Sequence, residues 1–299
     1  MTLLKRSFTA TAAALLAMAA SSASALTITP ITNAGTAVDT LQGALLAPAS
    51  GITVLPGGTF QGSVSAPQSA TYTGFNLVPT GPGSTITLPN GIFLTSGTSE
   101  IPLSNTVNQF NPVIPASGSN ALLSTLAGTT TNDANALDFS FTVEAGKTSV
   151  SAQFVFGTDE FPTQSVTDIF GFFVDGVNYA KFPSGELISN TPGNPTNFIS
   201  NPVGGDRYGI EYNGLTQVFT VVGLLDETLA THTITIAVAD TSDSIFDSGV
   251  FIAGLTAGTA TGGGGGIVVP PPIPEPETYA MLLAGLGVIG FAARRRKRK

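Results

Sequence analysis

The sequence predicts an all-β protein: an antiparallel β-sandwich of jelly-roll type over residues 26–256, with an N-terminal signal peptide and a short C-terminal membrane helix attached. Three observations lead there. Residues 26–260 are rich in Thr, Ser, Gly, Val, Ile and Phe and poor in Lys, Arg and Glu, a mixture suited to pleated surfaces rather than helices. Short runs of alternating apolar and polar residues recur between turn signals. Each end of the chain carries an apolar run bordered by cations.

The elements follow in order. Lys5 and Arg6 precede a small apolar run at 9–20, and Ser22-Ala23-Ser24-Ala25 supplies the small residues behind which signal peptidase cuts. Residues 1–25 therefore read as a signal peptide and Leu26 as the mature N-terminus. Segments 38–46 and 120–126 read as short helices. The clearest strands are 136–143, 149–156, 169–174, 217–222 and 232–239. In the last, Thr231, Thr233 and Thr235 alternate with His232, Ile234 and Ile236, the period of a strand with one buried face. Asn90-Gly91, Asp175-Gly176 and Asn213-Gly214 read as hairpin turns. Residues 257–273, with five glycines at 262–266 and Pro270-Pro271-Pro272, read as a linker. The uncharged run at 279–293 has 15 residues. As a helix it spans roughly 22 Å, short of the ~30 Å hydrocarbon core, and Gly285, Gly287 and Gly290 weaken it further. It suits a temporary anchor, stopped by Arg294, Arg295, Arg296, Lys297, Arg298 and Lys299 on the cytoplasmic side.

Charge and composition exclude several function classes. Residues 26–273 hold 17 acidic residues against three basic ones, Lys147, Lys181 and Arg207, for a formal charge of −14. The whole-chain value of −8 conceals this, because eight of the 11 cations sit in the two ends. Such a surface repels nucleic acid and anionic membranes and attracts cations. With no cysteine, the chain has no disulfide, thiol nucleophile or thiolate metal site. With one histidine, it has no histidine-rich zinc site.

Two resemblances add to this reading. Pro274-Glu275-Pro276 directly before the apolar run, followed by the basic end, resembles the PEP-CTERM sorting signal of Gram-negative, polysaccharide-secreting bacteria. The resemblance implies export, transient anchoring in the inner membrane, cleavage near the triplet by an exosortase, and release to the cell surface or a biofilm matrix. Segments 51–54, 91–97, 132–139, 154–161, 167–176, 212–216 and 236–252 together resemble the choice-of-anchor L domain, a bacterial surface module found ahead of different sorting signals. The loop after Phe161, at 162–166, is short for that family. The resemblance supports one domain and implies no particular activity.

Chemistry is sought among the carboxylates. Asp240, Asp243 and Asp247 lie between two strands, and Asp159, Glu160 and Asp168 border a second loop. Three carboxylates within eight residues repel unless water or a cation screens them. If the two loops meet, their hard oxygens suit Ca²⁺, which takes 6–8 of them, although the spacing is not that of an EF-hand. The other reading makes them solvated turn and cap residues. His232 lies in a strand and no Gly-x-Ser-x-Gly elbow accompanies it, which speaks against a Ser-His-Asp triad. The glycines at 262–266 lack the Lys-Ser/Thr of a phosphate loop. The expected function is a non-catalytic surface or extracellular-matrix module that adheres or binds polymer, with extracellular polysaccharide as a partner. The alternative is a carbohydrate-active hydrolase using a carboxylate pair drawn from Asp159, Glu160 and Asp240.

Overall fold

The computed structural model describes residues 25–260 and 267–268, apart from 109, 111, 113–116, 163–167, 190–194 and 206. The expected signal peptide up to residue 24, the Pro274-Glu275-Pro276 triplet, the apolar run, the basic end and most of the linker lie outside the described residues. Among the described residues no helix is long and apolar enough to cross a membrane.

The chain runs β1 (Thr27–Pro30), α1 (Ala34–Leu45), β2 (Ile52–Val54), β3 (Thr59–Gln61), β4 (Ser69–Thr73), β5 (Asn76–Leu77), β6 (Ile86–Thr87) and β7 (Gly91–Thr95). It continues with α2 (Ala121–Ala127), β8 (Thr131–Val143), β9 (Ser149–Thr158), β10 (Ile169–Val174), β11 (Val177–Asn178), β12 (Phe198–Ser200) and β13 (Gly214–Thr216). Last come β14 (Phe219–Leu224), β15 (His232–Thr241), β16 (Ser248–Gly258) and β17 (Ile267–Val268).

The strands form two large antiparallel sheets. The first runs β1-β4-β7-β16-β9, and the far edge of β9 is shared by β14 along residues 149–154 and by β13 at 157–158. The second runs β11-β10-β15-β8, with β2 and β3 sharing the far edge of β8. One apolar core serves both. It takes Ile92 and Leu94 of β7, Phe154 and Phe156 of β9, and Val250 and Ile252 of β16 from the first sheet. From the second it takes Leu137, Phe139 and Phe141 of β8, Phe170 and Phe172 of β10, and Ile234, Ile236 and Val238 of β15. Every second residue in these stretches faces this core, as the pleat requires.

The outer faces are covered as well. Phe93, Val155 and Phe251 of the first sheet pack outward against Phe75, Leu77, Tyr208, Ile210 and Tyr212. Leu123 of α2 lies over Ala136, Ile169, Phe173, Ala237 and Ala239 of the second. This changes the expectation for β15: only Thr233 is exposed, because α2 covers the side that the threonine alternation assigns to water.

Both short helices form where the sequence places them, and asparagines start them. The Asn33 side chain accepts from the Gly35 amide, and that of Asn120 accepts from the Leu122 and Leu123 amides, satisfying donors that have no partner within the helix. Of the three expected hairpin turns, Asp175-Gly176 is one: both residues have positive φ, 49° and 79°, and they join β10 to β11. The other two are not. Gly91 opens β7, which pairs with β4 and β16, and Gly214 opens β13, which pairs with β12 and β9. Glycine is required at both because another group approaches closely. A methyl group at Gly91 would overlap the Ile252 carbonyl of β16, and one at Gly214 would overlap the Phe161 side chain.

Candidate functional site

The core-facing rows of five strands each end in a polar residue on the same end of the sandwich. Beyond Leu94 stands Ser96, beyond Phe156 Thr158, beyond Val238 Asp240, before Val250 Ser248, and before Leu137 Asn135. All five are buried. The alternation that builds the apolar core thus continues one step further and lines its end with oxygen and nitrogen. Asn135 ties the sheets together there. Its amide nitrogen donates to the Gln68 and Thr95 carbonyls, at 2.7 and 3.2 Å, and its oxygen accepts from the Ser69 hydroxyl at 2.9 Å.

Among the crossings between the sheets at this end are those from β9 to β10 and from β15 to β16. Five of the six carboxylates singled out in the sequence lie in these two connections and Asp240 lies at the end of β15, and the two loops do meet. The Asp159 amide donates to the Asp247 carbonyl at 3.2 Å, joining one loop to the other. Asp159, Glu160, Asp168, Asp240 and Asp247 are buried, between 0 and 4% exposed, so these five are not solvated turn residues; Asp243 is half-buried. A seventh carboxylate joins them. Asp133 sits in β8 with φ 46°, where the β8–β15 register shifts between Val238 and Asp240. The bulge spends a left-handed residue, a conformation Asp tolerates. Sequence reading overlooked Asp133 because it lies inside a strand, away from both loops.

The three basic residues among the described ones lie elsewhere. Lys147 is in the β8–β9 turn at the other end, Lys181 follows β11, and Arg207 donates to the Pro82 carbonyl and lies over the Tyr208 ring. Hydrogen bonds compensate only in part. Asp159 Oδ1 accepts from the Asn213 amide at 3.0 Å. Ser248 beside Asp168 and Ser96 beside Asp240 partly offset the upward shift of their pKa, yet no donor reaches either oxygen of Asp168 or Asp240 with hydrogen-bond geometry. Asp159, Asp243 and Asp247 each keep one buried oxygen without a partner, as does the Ser248 hydroxyl.

The acidities follow. Burial, then the Coulomb field of Asp240 and Asp159, pushes Asp247 up to about 9. Burial, reinforced by Asp243, Asp240 and Asp159, raises Glu160 to about 8. Asp159 rises to about 8, mainly through burial, with Glu211 adding to it. Asp240 rises to about 7 through burial, with Asp133 and Asp243 contributing. Asp168 is driven well up by burial and by Asp240, its strongest charged neighbour; Asp133 and Asp243 also rise through burial. Burial of this kind favours the protonated form of a carboxyl group.

Three glycines give the site its shape. A methyl group at Gly97 would overlap the Asp247 carboxylate, so that side chain is seated directly on the Gly97 backbone. Gly157 and Gly249 together leave room for the Tyr212 ring, which is fully buried and donates from its hydroxyl to Thr95 Oγ1 at 3.4 Å.

His232 is elsewhere. It begins β15, at the opposite end, where its Nδ1 meets Asp175 Oδ2 at 2.8 Å and the pair is largely buried. A surface groove of about 430 Å³ there is lined by Glu144, Lys147, Glu227 and His232, and another of about 300 Å³ by Ile28, Pro30, Ser99 and Ile101. Neither touches the acidic end.

An all-β domain followed by a sorting motif defines the class to which this chain belongs: residues 272–297 match the PEP-CTERM protein-sorting motif, which marks an exported protein processed at the membrane. The family follows from the rest of the chain. Residues 50–256 match the Choice-of-anchor L domain, and the chain belongs to that family. Comparison with curated proteins and with solved structures returns no match.

Proposed function

We propose that this chain is a non-catalytic surface or extracellular-matrix protein of a Gram-negative bacterium, released by an exosortase after transient anchoring in the inner membrane. Its β domain is an adhesion or polymer-binding module stabilised by calcium at its acidic end. The sorting-motif match carries the address. A signal peptide at 1–25 and a short membrane helix at 279–293 complete the export route, and 257–273 serves as the linker. Leaving out the short β11–β13, the strands β7, β8, β9, β10, β14, β15 and β16 alternate in chain order between the two sheets, which supports the jelly-roll assignment.

Processing has a direct test. With an internal affinity tag, the surface or medium form should weigh less than the membrane form by the residues beyond the triplet. A released protein that still carries Arg294–Lys299 would overturn exosortase processing. Glu275→Ala should hold the protein in the inner membrane.

The calcium assignment rests on the buried carboxylate oxygens without donors at Asp159, Asp168, Asp240, Asp243 and Asp247. They are hard oxygen ligands, they converge from both sheets, and Glu160 and Asp133 stand within their field. Among the described residues no three of these side chains already stand in a metal-ligating arrangement, so a bound ion would draw them inward. Calorimetric titration of the full chain in nonionic detergent should show calcium binding with Kd of about 10⁻⁴–10⁻³ M and no comparable uptake of magnesium. A hundredfold excess over Kd stabilises the folded state by about 2.7 kcal/mol. Absence of calcium binding would return the carboxylates to a purely protonated role. The burial of Asp159, Glu160 and Asp240 supports a non-catalytic reading over a carboxylate-pair hydrolase.

A further inference from the structure

The acidic end is where the two sheets must close on each other. β9 and β16 deliver Thr158, Asp159, Asp247 and Ser248 from the first sheet, and β8, β10 and β15 deliver Asp133, Asp168 and Asp240 from the second. Closing the sandwich brings these groups together and expels their water. Asp168 and Asp240 make the point most sharply: each is at most 1% exposed, and neither of their carboxylate oxygens finds a donor. The Ser248 hydroxyl, also buried, completes the set without a partner of its own. Holding each such carboxylate in the seam, either charged without a partner or protonated well above the ordinary carboxylate range, takes away part of a domain's total stability. Several at one seam oppose closure of the whole sandwich, and the cysteine-free chain has no disulfide to hold it shut.

We infer that a divalent cation shared by Asp133, Asp159, Asp168, Asp240 and Asp247 is the condition for the two sheets to close, so that the domain is folded where calcium is millimolar and open where it is scarce. The inference rests on the calcium reading above and extends it to regulation. In a compartment of low free calcium the chain stays open, the form in which an unfolded precursor is exported. Outside the cell, the ion that binds between the crossovers draws the sheets together. The cation acts as the pin of the fold, and the ligands sit on both of its halves. One ion takes 6–8 oxygens, and the seam offers that many from carboxylates and the Ser248 hydroxyl.

The test is proteolysis and hydrogen exchange of the full chain in nonionic detergent at neutral pH, in chelator and in 5 mM calcium (roughly fifty times a Kd of 10⁻⁴ M). The expected result is a shift of about fiftyfold in the ratio of closed to open domain, seen as rapid cleavage at the β9–β10 and β15–β16 connections in chelator and protection in calcium. Amides of β8, β9, β15 and β16 should exchange freely in chelator and slowly in calcium. Calcium that binds while the chelated chain stays equally protected would overturn conditional folding and leave the calcium reading standing. Absence of any binding in the titration would remove both. The double variant Asp168→Asn, Asp240→Asn removes two buried charges at nearly constant volume. It should be protected in chelator and insensitive to calcium, and the same chelator sensitivity as the native chain would also overturn the inference. Asp243→Asn, at the half-buried rim, supplies a milder variant in which the calcium midpoint rises while closure in saturating calcium is retained.

Discussion

In chelator, the domain loses stability steeply as the pH is raised from 5 to 9, and millimolar calcium removes most of that dependence. The sign follows from the direction of the shifts. Asp159 and Glu160 at about 8, Asp240 at about 7 and Asp247 at about 9 all lie above the ordinary carboxylate range. The folded state therefore binds more protons than the unfolded chain throughout the interval between roughly pH 4 and those values. The stability this supplies is complete below the unfolded pKa and disappears as the pH rises through the folded ones. Each unit of net shift is worth about 1.4 kcal/mol, so even a small part of the combined displacement is large beside a domain stability of about 5–15 kcal/mol. Calcium competes with the protons for the same oxygens, so its effect should be strongest near pH 8 and absent near pH 4. Denaturant midpoints measured across this range, with and without calcium, provide the comparison. A flat profile in chelator would mean that the carboxylates are solvated after all.

Gly97→Ala should abolish the calcium response and destabilise the domain by about 1–3 kcal/mol, the range for overpacking a tight site. The added methyl group overlaps the Asp247 carboxylate, and the backbone of Gly97 is itself held by donation of its amide to Thr95 Oγ1 at 3.0 Å. Asp247 must then turn away from the seam. A matched control lies in α1: Gly43 is exposed, with nothing near its missing methyl, and Gly43→Ala should add about 0.5–1 kcal/mol through helix propensity while leaving the calcium response intact. A Gly97→Ala chain that melts and binds calcium like the native one would show that Asp247 has no fixed place at the seam.

Much of this organisation is legible in residue order, because period-two alternation places side chains without any knowledge of neighbours. It marks strands at 136–143, 149–156, 169–174 and 232–239, which the described strands match or extend by up to five residues, while the strand expected at 217–222 lies at Phe219–Leu224. The acidic end was half visible. Asp240 at the end of β15 and the loop aspartates 243 and 247 stand out as a charge cluster, whereas Asp133, Ser96 and Thr158 sit inside or just beyond strands, where only a continued count of the alternation points them inward. Burial was not legible at all. Asp168 and Asp240 look like turn residues until the two crossovers are seen to fold onto one another, a contact between segments about 70 residues apart. Asn-Gly pairs misled for a related reason. At Gly91 and Gly214 the glycine serves a close approach from a strand or side chain distant in sequence, which short-range turn signals do not register.

Tyr212 gives the chain an optical gauge of its own. The sequence holds five tyrosines and no tryptophan, so absorption and emission near 280–300 nm come from phenol rings alone. The Tyr212 ring is pressed between Gly157 and Gly249, fully shielded from water, and its hydroxyl feels the fields of Asp247, Asp159 and Asp168. Of the other described tyrosines, Tyr72 shares the outer cluster with no hydroxyl partner, Tyr208 donates to the Ser84 carbonyl, and Tyr179 to that of Leu224. A change of charge at the seam therefore reaches one phenol directly, and the difference spectrum of the unlabelled protein against its Tyr212→Phe variant isolates that signal.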